Sequence, residues 1–138
     1  MNRLEPLLNE WTPYALSVLR IVSGFLFLQH GMQKLFNYPS APPGGKPQLG
    51  SLHGVAGILE FFGGLLIMFG LFTRPVTFLL SGQMAFAYFK VHAPEGFWPA
   101  KNQGESAAVF CFIFLFLVFA GGGPLSLDAL LFGLTSAR

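Results

Sequence analysis

Charge is what this sequence has least of. Only 10% of its 138 residues are charged, eight Lys/Arg against six Asp/Glu, where soluble domains carry roughly 25%. That is too little to cover a water-facing surface. No basic tract is present, which excludes a nucleic-acid-binding face. Cysteine is nearly absent too. The single Cys111, inside "VFCFIFLFLVF", excludes both an intrachain disulfide and a CxxC redox pair. It reads as a small buried apolar residue. No Gly-rich phosphate loop follows a strand, and no Ser/His/Asp set is evident. There is no HxxH or ExxH spacing, so neither a metal nor a haem has a local ligand motif.

What the sequence does have is apolar length. Hydrophobic residues make up 53% of it, and the mean hydropathy is +0.58. The expected class is all-α, an integral membrane four-helix bundle forming a single domain over residues 1–138. A soluble bundle with a greasy core is the alternative. About 20 helical residues cross a ~30 Å hydrocarbon layer, and four segments fit, at about residues 14–36, 52–72, 75–91 and 106–120. Trp11 and Tyr14 stand where interfacial aromatics belong. The Pro/Gly stretch "NYPSAPPGGKPQLGS" cannot continue a helix. Thr73, Arg74 and Pro75 make a tight connection, so spans two and three are antiparallel neighbours. After "GGGP", the segment "LSLDALLFGL" reads as a short interfacial helix capped by Ser126. "MNRLEPLLNEWTPY" contains Glu5 and Glu10 and lacks the pattern of a cleavable signal. The run that follows it reads as a permanent anchor.

Four spans put both termini on one side. Arg3, Arg20, Arg74 and Arg138 fall there, and Lys34, Lys46, Lys90 and Lys101 on the other, so the basic count does not orient the chain. The tight Arg74 turn and the basic start of span one favour cytoplasmic termini.

A charge at the centre of a span costs about 2.5–3.5 kcal/mol on insertion scales, so such residues turn inward, pair or snorkel. On span one, Arg20, Ser23, Gly24, Phe27, His30, Gly31 and Lys34 share an arc of roughly 120°. On span two, His53, Gly57, Glu60, Gly64 and Ile67 share a face, and the glycines admit a close neighbour. Span three places Gln83 and Lys90 seven residues apart, and Tyr88 with His92 four apart. His30, Lys34, His53, Glu60, Lys90, His92 and Glu105 all fall in the half of the membrane away from the termini. The expectation is one inward-facing polar pocket. Glu60 is read either as a proton acceptor or as the ion-pair partner of Arg20, Lys34 or Lys90. His30 has a simpler reading as a hydrogen bond to a neighbouring helix, His53 and His92 as solvated loop-edge groups, and Lys90 and Lys101 as interface anchors. Arg20 snorkels, or pins spans one and four on the terminal side. The candidate site is therefore Glu60 and His30 for proton transfer, with Arg20, Lys34, His53, Gln83, Tyr88, Lys90, His92 and Glu105 as ligand contacts.

The order of residues resembles one known family. Leu19-Arg20, Gly24, His30-Gly31 and Lys34 resemble the first span of the DoxX family. "GILEFFGGLLIMFGLFTR", Gly57 to Arg74, is similar to its second. Tyr88, His92, "GFW" at Gly96 to Trp98, Glu105 and "GPLSLDALL" continue the match from about residue 14 to 132. The resemblance implies a bundle in the bacterial inner membrane, and for some members a link to quinone-coupled sulfur oxidation or to thiol and oxidative-stress complexes. The expected function is a small subunit of a redox-linked membrane complex, with a polar pocket suited to a quinone headgroup or a small polar ligand. A non-catalytic scaffold is the alternative, joined to a membrane partner or a second copy by Phe110, Phe112, Phe114, Phe116 and Phe119. A small-solute or proton transporter ranks third, since no inverted repeat is visible.

Overall fold

The computed structural model describes residues 3–134; Arg138, counted above among the terminal-side cations, lies outside them. Among the described residues the regular structure is entirely helical, in the order α1 (Leu4–Phe36), α2 (Leu52–Phe69), α3 (Thr73–Ala87), α4 (Pro99–Asn102), α5 (Glu105–Ala120) and α6 (Leu127–Phe132). The Phe-alternating segment is therefore helix, as backbone hydrogen bonding in an apolar surrounding demands.

Boundaries depart from the sequence expectation in informative ways. α1 begins ten residues before residue 14, with Pro13 inside it. The preceding turn remains helical, with the Thr12 hydroxyl donating to Leu8 O at 2.8 Å. α2 stops at Phe69, not at 72, because Gly70 takes a left-handed cap (φ 70°) that returns its N–H to the last turn. α3 starts at Thr73 and runs on past Ala87 as one π-helical turn, Tyr88–His92, and a 3-10 turn, Ala93–Glu95. Ser51 caps α2 through the Gly54 N–H, and Ser126 caps α6 through the Ala129 N–H, each at 3.1 Å.

The helices pack antiparallel in two intimate pairs, α1 with α2 and α3 with α5. The first pair meets backbone to backbone. A Cβ on Gly31 would stand 2.4 Å from Phe61 N, one on Gly24 2.6 Å from Met68 N, and one on Gly64 2.8 Å from the Leu28 backbone. Gly24 and Gly31, like Gly57 and Gly64, are seven residues apart and so repeat on one helix face. Between the pairs lies a core of Phe27, Ile67, Leu80, Met84, Phe114 and Leu117, with Phe27 edge-on to Phe114 at 4.9 Å. Phe114 is fully buried, and Phe110 stacks on it at 5.6 Å. Of the five α5 phenylalanines expected on one partner surface, those two therefore face inward. Phe112, Phe116 and Phe119 face out, together with Val109.

Helix ends at the terminal side are closed by side chains. Arg20 is fully buried. Its Nη1 donates to Ile67 O and Met68 O, both at 2.7 Å, and its Nε to Gly122 O at 2.7 Å; Nη2 donates to Leu125 O. Two of these carbonyls belong to the last turn of α2, where intrahelical donors run out. Asp128 does the complementary work for α3. Its carboxylate accepts from Phe72 N at 2.7 Å and Thr73 N at 2.9 Å. Arg74 covers the end of α5, donating to Val118 O and Phe119 O at 3.0 and 2.7 Å.

The glycine contact yields a direct test. Gly31→Ala forces backbone apart and is expected to destabilise the protein by about 1–3 kcal/mol, seen as a thermal midpoint several degrees lower in detergent. Gly82→Ala, inside α3 where a Cβ would meet nothing within 4 Å, should hold or raise the midpoint. Equal midpoints for the two variants would contradict the close packing.

Candidate functional site

Where α2 and α3 part, and α1 and α5 close the other sides, there is a cavity of about 930 Å³. Its volume is that of a site for a drug-sized molecule. Most of its wall is apolar, including Phe27, Leu59, Phe78, Leu79, Met84, Phe110 and Leu115. Polar groups gather toward the long-loop end, where Pro42 and Pro43 reach the mouth: His30, Lys34, His53, Glu60, Gln83 and His92 all line it.

The centre of that polar end is an ion pair. Glu60 is 4% exposed, and Lys34 Nζ lies 2.8 Å from both of its carboxylate oxygens. Of the three cations offered to Glu60 by the sequence, the structure selects Lys34. Gly57 makes the approach possible, since a Cβ there would stand 2.8 Å from Lys34 Cβ. Gln83 Nε2 reaches Glu60 Oε1 at 3.5 Å. Its other amide atom, Oε1, is buried without a hydrogen-bond partner among the described residues. An ammonium has three N–H donors, so one of Lys34's is left beyond the two that Glu60 takes. The pair thus offers a donor and an open amide oxygen beside a carboxylate, at the head of an apolar chamber.

The remaining sequence candidates divide. His30 lines the chamber, but its contact is edge-on to the Phe110 ring at 6.0 Å, not the expected hydrogen bond to a neighbouring helix. His53 sits exposed in the first turn of α2, at the chamber wall. His92 shares a hydrogen bond with Asn102 O through Nδ1 at 3.1 Å. Four candidates lie outside the chamber lining. Arg20 is committed to backbone carbonyls at the other end. Tyr88 is buried, donating to Phe97 O and accepting from Asn102 Nδ2 at 3.3 Å, so it organises the loop before α5. Lys90 and Glu105 are exposed, Glu105 in the first turn of α5, where a negative charge suits the helix dipole. The π turn explains the misplacement on α3. Its extra residue per turn shifts everything after Ala87 out of α-helical register, so Gln83 and Lys90 no longer share a face.

No three His, Cys, Asp or Glu side chains come together as a ligand set among the described residues. Sequence reasoning gave no role to Asn102, Asp128 or the Ser81–Cys111 contact, in which the Ser81 hydroxyl donates to Cys111 O at 2.8 Å. Asp128 carried a signal, a lone carboxylate in an apolar ten-residue segment. Asn102, in a polar loop, carried none.

The ion pair makes a double-mutant prediction. Lys34→Met leaves Glu60 buried without its cation, and is expected to destabilise by several kcal/mol, toward the 3–5 kcal/mol of a broken buried pair. Adding Glu60→Leu should recover most of the loss. Additive losses in detergent unfolding would show that the two side chains are not coupled.

Comparison with known proteins places the chain in a family. The DoxX family model matches residues 15–93, a stretch that holds Arg20, Lys34, Glu60, Gln83 and His92. An uncharacterized protein of Haemophilus influenzae is 42% identical over 132 residues, covering 93% of this chain and 96% of its own. An uncharacterized membrane protein of Mycobacterium tuberculosis is 28% identical over 138 residues, covering 88% of this chain and 84% of its own. No solved structure matches the chain. With its long apolar helices, its outward phenylalanines and leucines and its match over more than half its length, the chain belongs to the DoxX family of membrane proteins.

Proposed function

We propose that α1, α2, α3 with its π turn, and α5 cross the bacterial inner membrane as a four-helix bundle. Both termini face the cytoplasm, and α6 lies in the interface. α1 is about 50 Å long and α2 about 27 Å at 1.5 Å per residue, against a ~30 Å hydrocarbon layer. The outward residues Phe78, Leu79, Phe86, Phe112 and Phe119 are lipid-grade. Single cysteines introduced by Glu5→Cys and Lys46→Cys should then label from opposite sides of a vesicle; labelling from one side would overturn the topology.

The chamber is read as the seat of a quinone headgroup in a redox-linked membrane complex, with this chain as a small subunit. The observation that carries this reading is the Lys34–Glu60–Gln83 cluster at the head of a mostly apolar cavity. A quinone has two carbonyl acceptors and a lipid tail. Lys34 and Gln83 would hold the headgroup by hydrogen bonding. Glu60 and His30 would hold or pass the protons that a quinone takes up when a partner's redox centre reduces it. Purification under mild conditions should yield a near-stoichiometric isoprenoid quinone in an organic extract, and Glu60→Gln should lower quinone-linked turnover of the parent complex by about 10²-fold or more. Absence of quinone together with full activity of Glu60→Gln would overturn the reading.

A second reading has its own observation. Val109, Phe112, Phe116 and Phe119 form one apolar stripe on α5, with Phe112 and Phe119 about 70% exposed. In a non-catalytic scaffold this stripe packs on a membrane partner or a second copy. Phe112→Ala/Phe119→Ala should then abolish co-purification while Glu60→Gln leaves it intact. The opposite pattern favours the chamber.

A further inference from the structure

A second cavity, of about 390 Å³, opens at the end of the molecule opposite the long loops, between the start of α3 and the segment that follows α5. Three polar side chains line it: Thr73, Arg74 and Asp128. Phe72, Pro75, Phe132 and Leu134 supply its apolar wall. Thr73 is 1% exposed, and its Oγ1 has no hydrogen-bond partner among the described residues. The cause is positional. A helical threonine ordinarily donates back to the carbonyl one turn earlier, as Thr77 does to Thr73 O at 2.7 Å. Thr73 is the first residue of α3 and has no helical carbonyl behind it. A buried hydroxyl beside an open cavity therefore lacks the acceptor it requires.

The charges around it are separate. Arg74 uses Nη1 on the two α5 carbonyls, leaving Nε and Nη2 to donate elsewhere. Among the described residues no carboxylate comes within ion-pair distance of it. Asp128 accepts one backbone N–H on each oxygen, and a carboxylate oxygen can accept a second donor. A guanidinium and a hydroxyl donor on one part of the wall, and a carboxylate on another, match a zwitterion that carries both a phosphate and an N–H-bearing cation.

We propose that this cavity binds the headgroup of phosphatidylethanolamine. The phosphate lies against Arg74 and receives the Thr73 hydroxyl, and the ammonium donates to Asp128. Guanidinium–phosphate and ammonium–carboxylate contacts are the strong, charge-assisted kind. Phe72 and Phe132, each about half exposed, continue the wall toward the acyl chains. The α2–α3 turn and the capped end of α6 set the cavity at headgroup depth, a placement that rests on the spanning arrangement proposed above but not on the occupant of the larger chamber.

The test uses the full chain, delipidated in detergent and titrated with phosphatidylethanolamine, phosphatidylcholine, diacylglycerol or inorganic phosphate. Native mass spectrometry and thermal unfolding report binding. Phosphatidylethanolamine should bind about tenfold more tightly than phosphatidylcholine, whose methylated cation cannot donate to Asp128. Diacylglycerol and phosphate should not shift the midpoint. Thr73→Val is nearly isosteric and removes an unpartnered hydroxyl, so the lipid-free midpoint should hold or rise while phosphatidylethanolamine binding weakens several-fold. Arg74→Gln should weaken it further. Equal binding of the two phospholipids, an equal shift with diacylglycerol or phosphate, or unchanged binding by Thr73→Val would each overturn the proposal. The cysteine-labelling experiment reports separately on the spanning arrangement, and quinone analysis on the larger chamber.

Discussion

The contact on which the rest of the molecule depends is the bare-backbone seam between α1 and α2. Gly24 and Gly31 on one helix and Gly57 and Gly64 on the other leave no room for a Cβ of their own at the points of closest approach. Close approach matters where neighbouring helices gain no hydrophobic advantage over lipid tails, because dispersion contact then has to hold them. It also sets the chemistry. Only with the helices this near does Lys34 lie over Gly57 and reach both oxygens of Glu60.

The charged side chains solve two different problems. At the terminal end Arg20, Asp128 and Arg74 meet backbone groups, and each completes a helix end that would otherwise leave carbonyls or amides without partners. In an apolar surrounding such orphan groups are costly. At the long-loop end Lys34 and Glu60 meet one another inside a chamber, and Gln83 joins them with an amide oxygen to spare. Each end also keeps some polar capacity unspent: the Gln83 amide oxygen in the chamber, and the Thr73 hydroxyl with the Nε and Nη2 of Arg74 at the terminal side. Those groups are the physical basis for proposing a ligand at each.

The chamber itself follows from uneven packing. α1 lies tightly on α2 and α3 on α5, while the two pairs meet mainly through Phe27, Ile67, Leu80 and Phe114. Toward the long loops this core gives out and the wall opens between α2 and α3. The π turn at Tyr88–His92 belongs to the same region. Within it Lys90 is exposed and His92 stands at the chamber wall, while Tyr88 at its start is hydrogen-bonded to the loop.

The helical class, the four apolar segments and the two glycine faces were legible in the sequence, because apolar length and a 3.6-residue period are local properties of the chain. Of the seven titratable groups that the sequence gathers toward one end, His30, Lys34, His53, Glu60 and His92 line the chamber, while Lys90 and Glu105 lie outside its lining. What local pattern could not supply was pairing. Three cations stood at compatible spacings from Glu60, and only the packing of α1 on α2 chose Lys34. Arg20 was expected at the terminal side, but its partners there, backbone carbonyls more than forty residues away, were not legible. Asp128 capped a helix that begins fifty-five residues earlier. Lys90 falls within a π turn, which breaks the register that any periodic reading assumes, and Tyr88 is held by loop groups at Phe97 and Asn102. The sequence by itself determined which faces are polar and where along its helix each charge sits, since those depend on neighbours along the chain. Tertiary structure alone decided which charge answers which, since that depends on groups brought together only when the helices close.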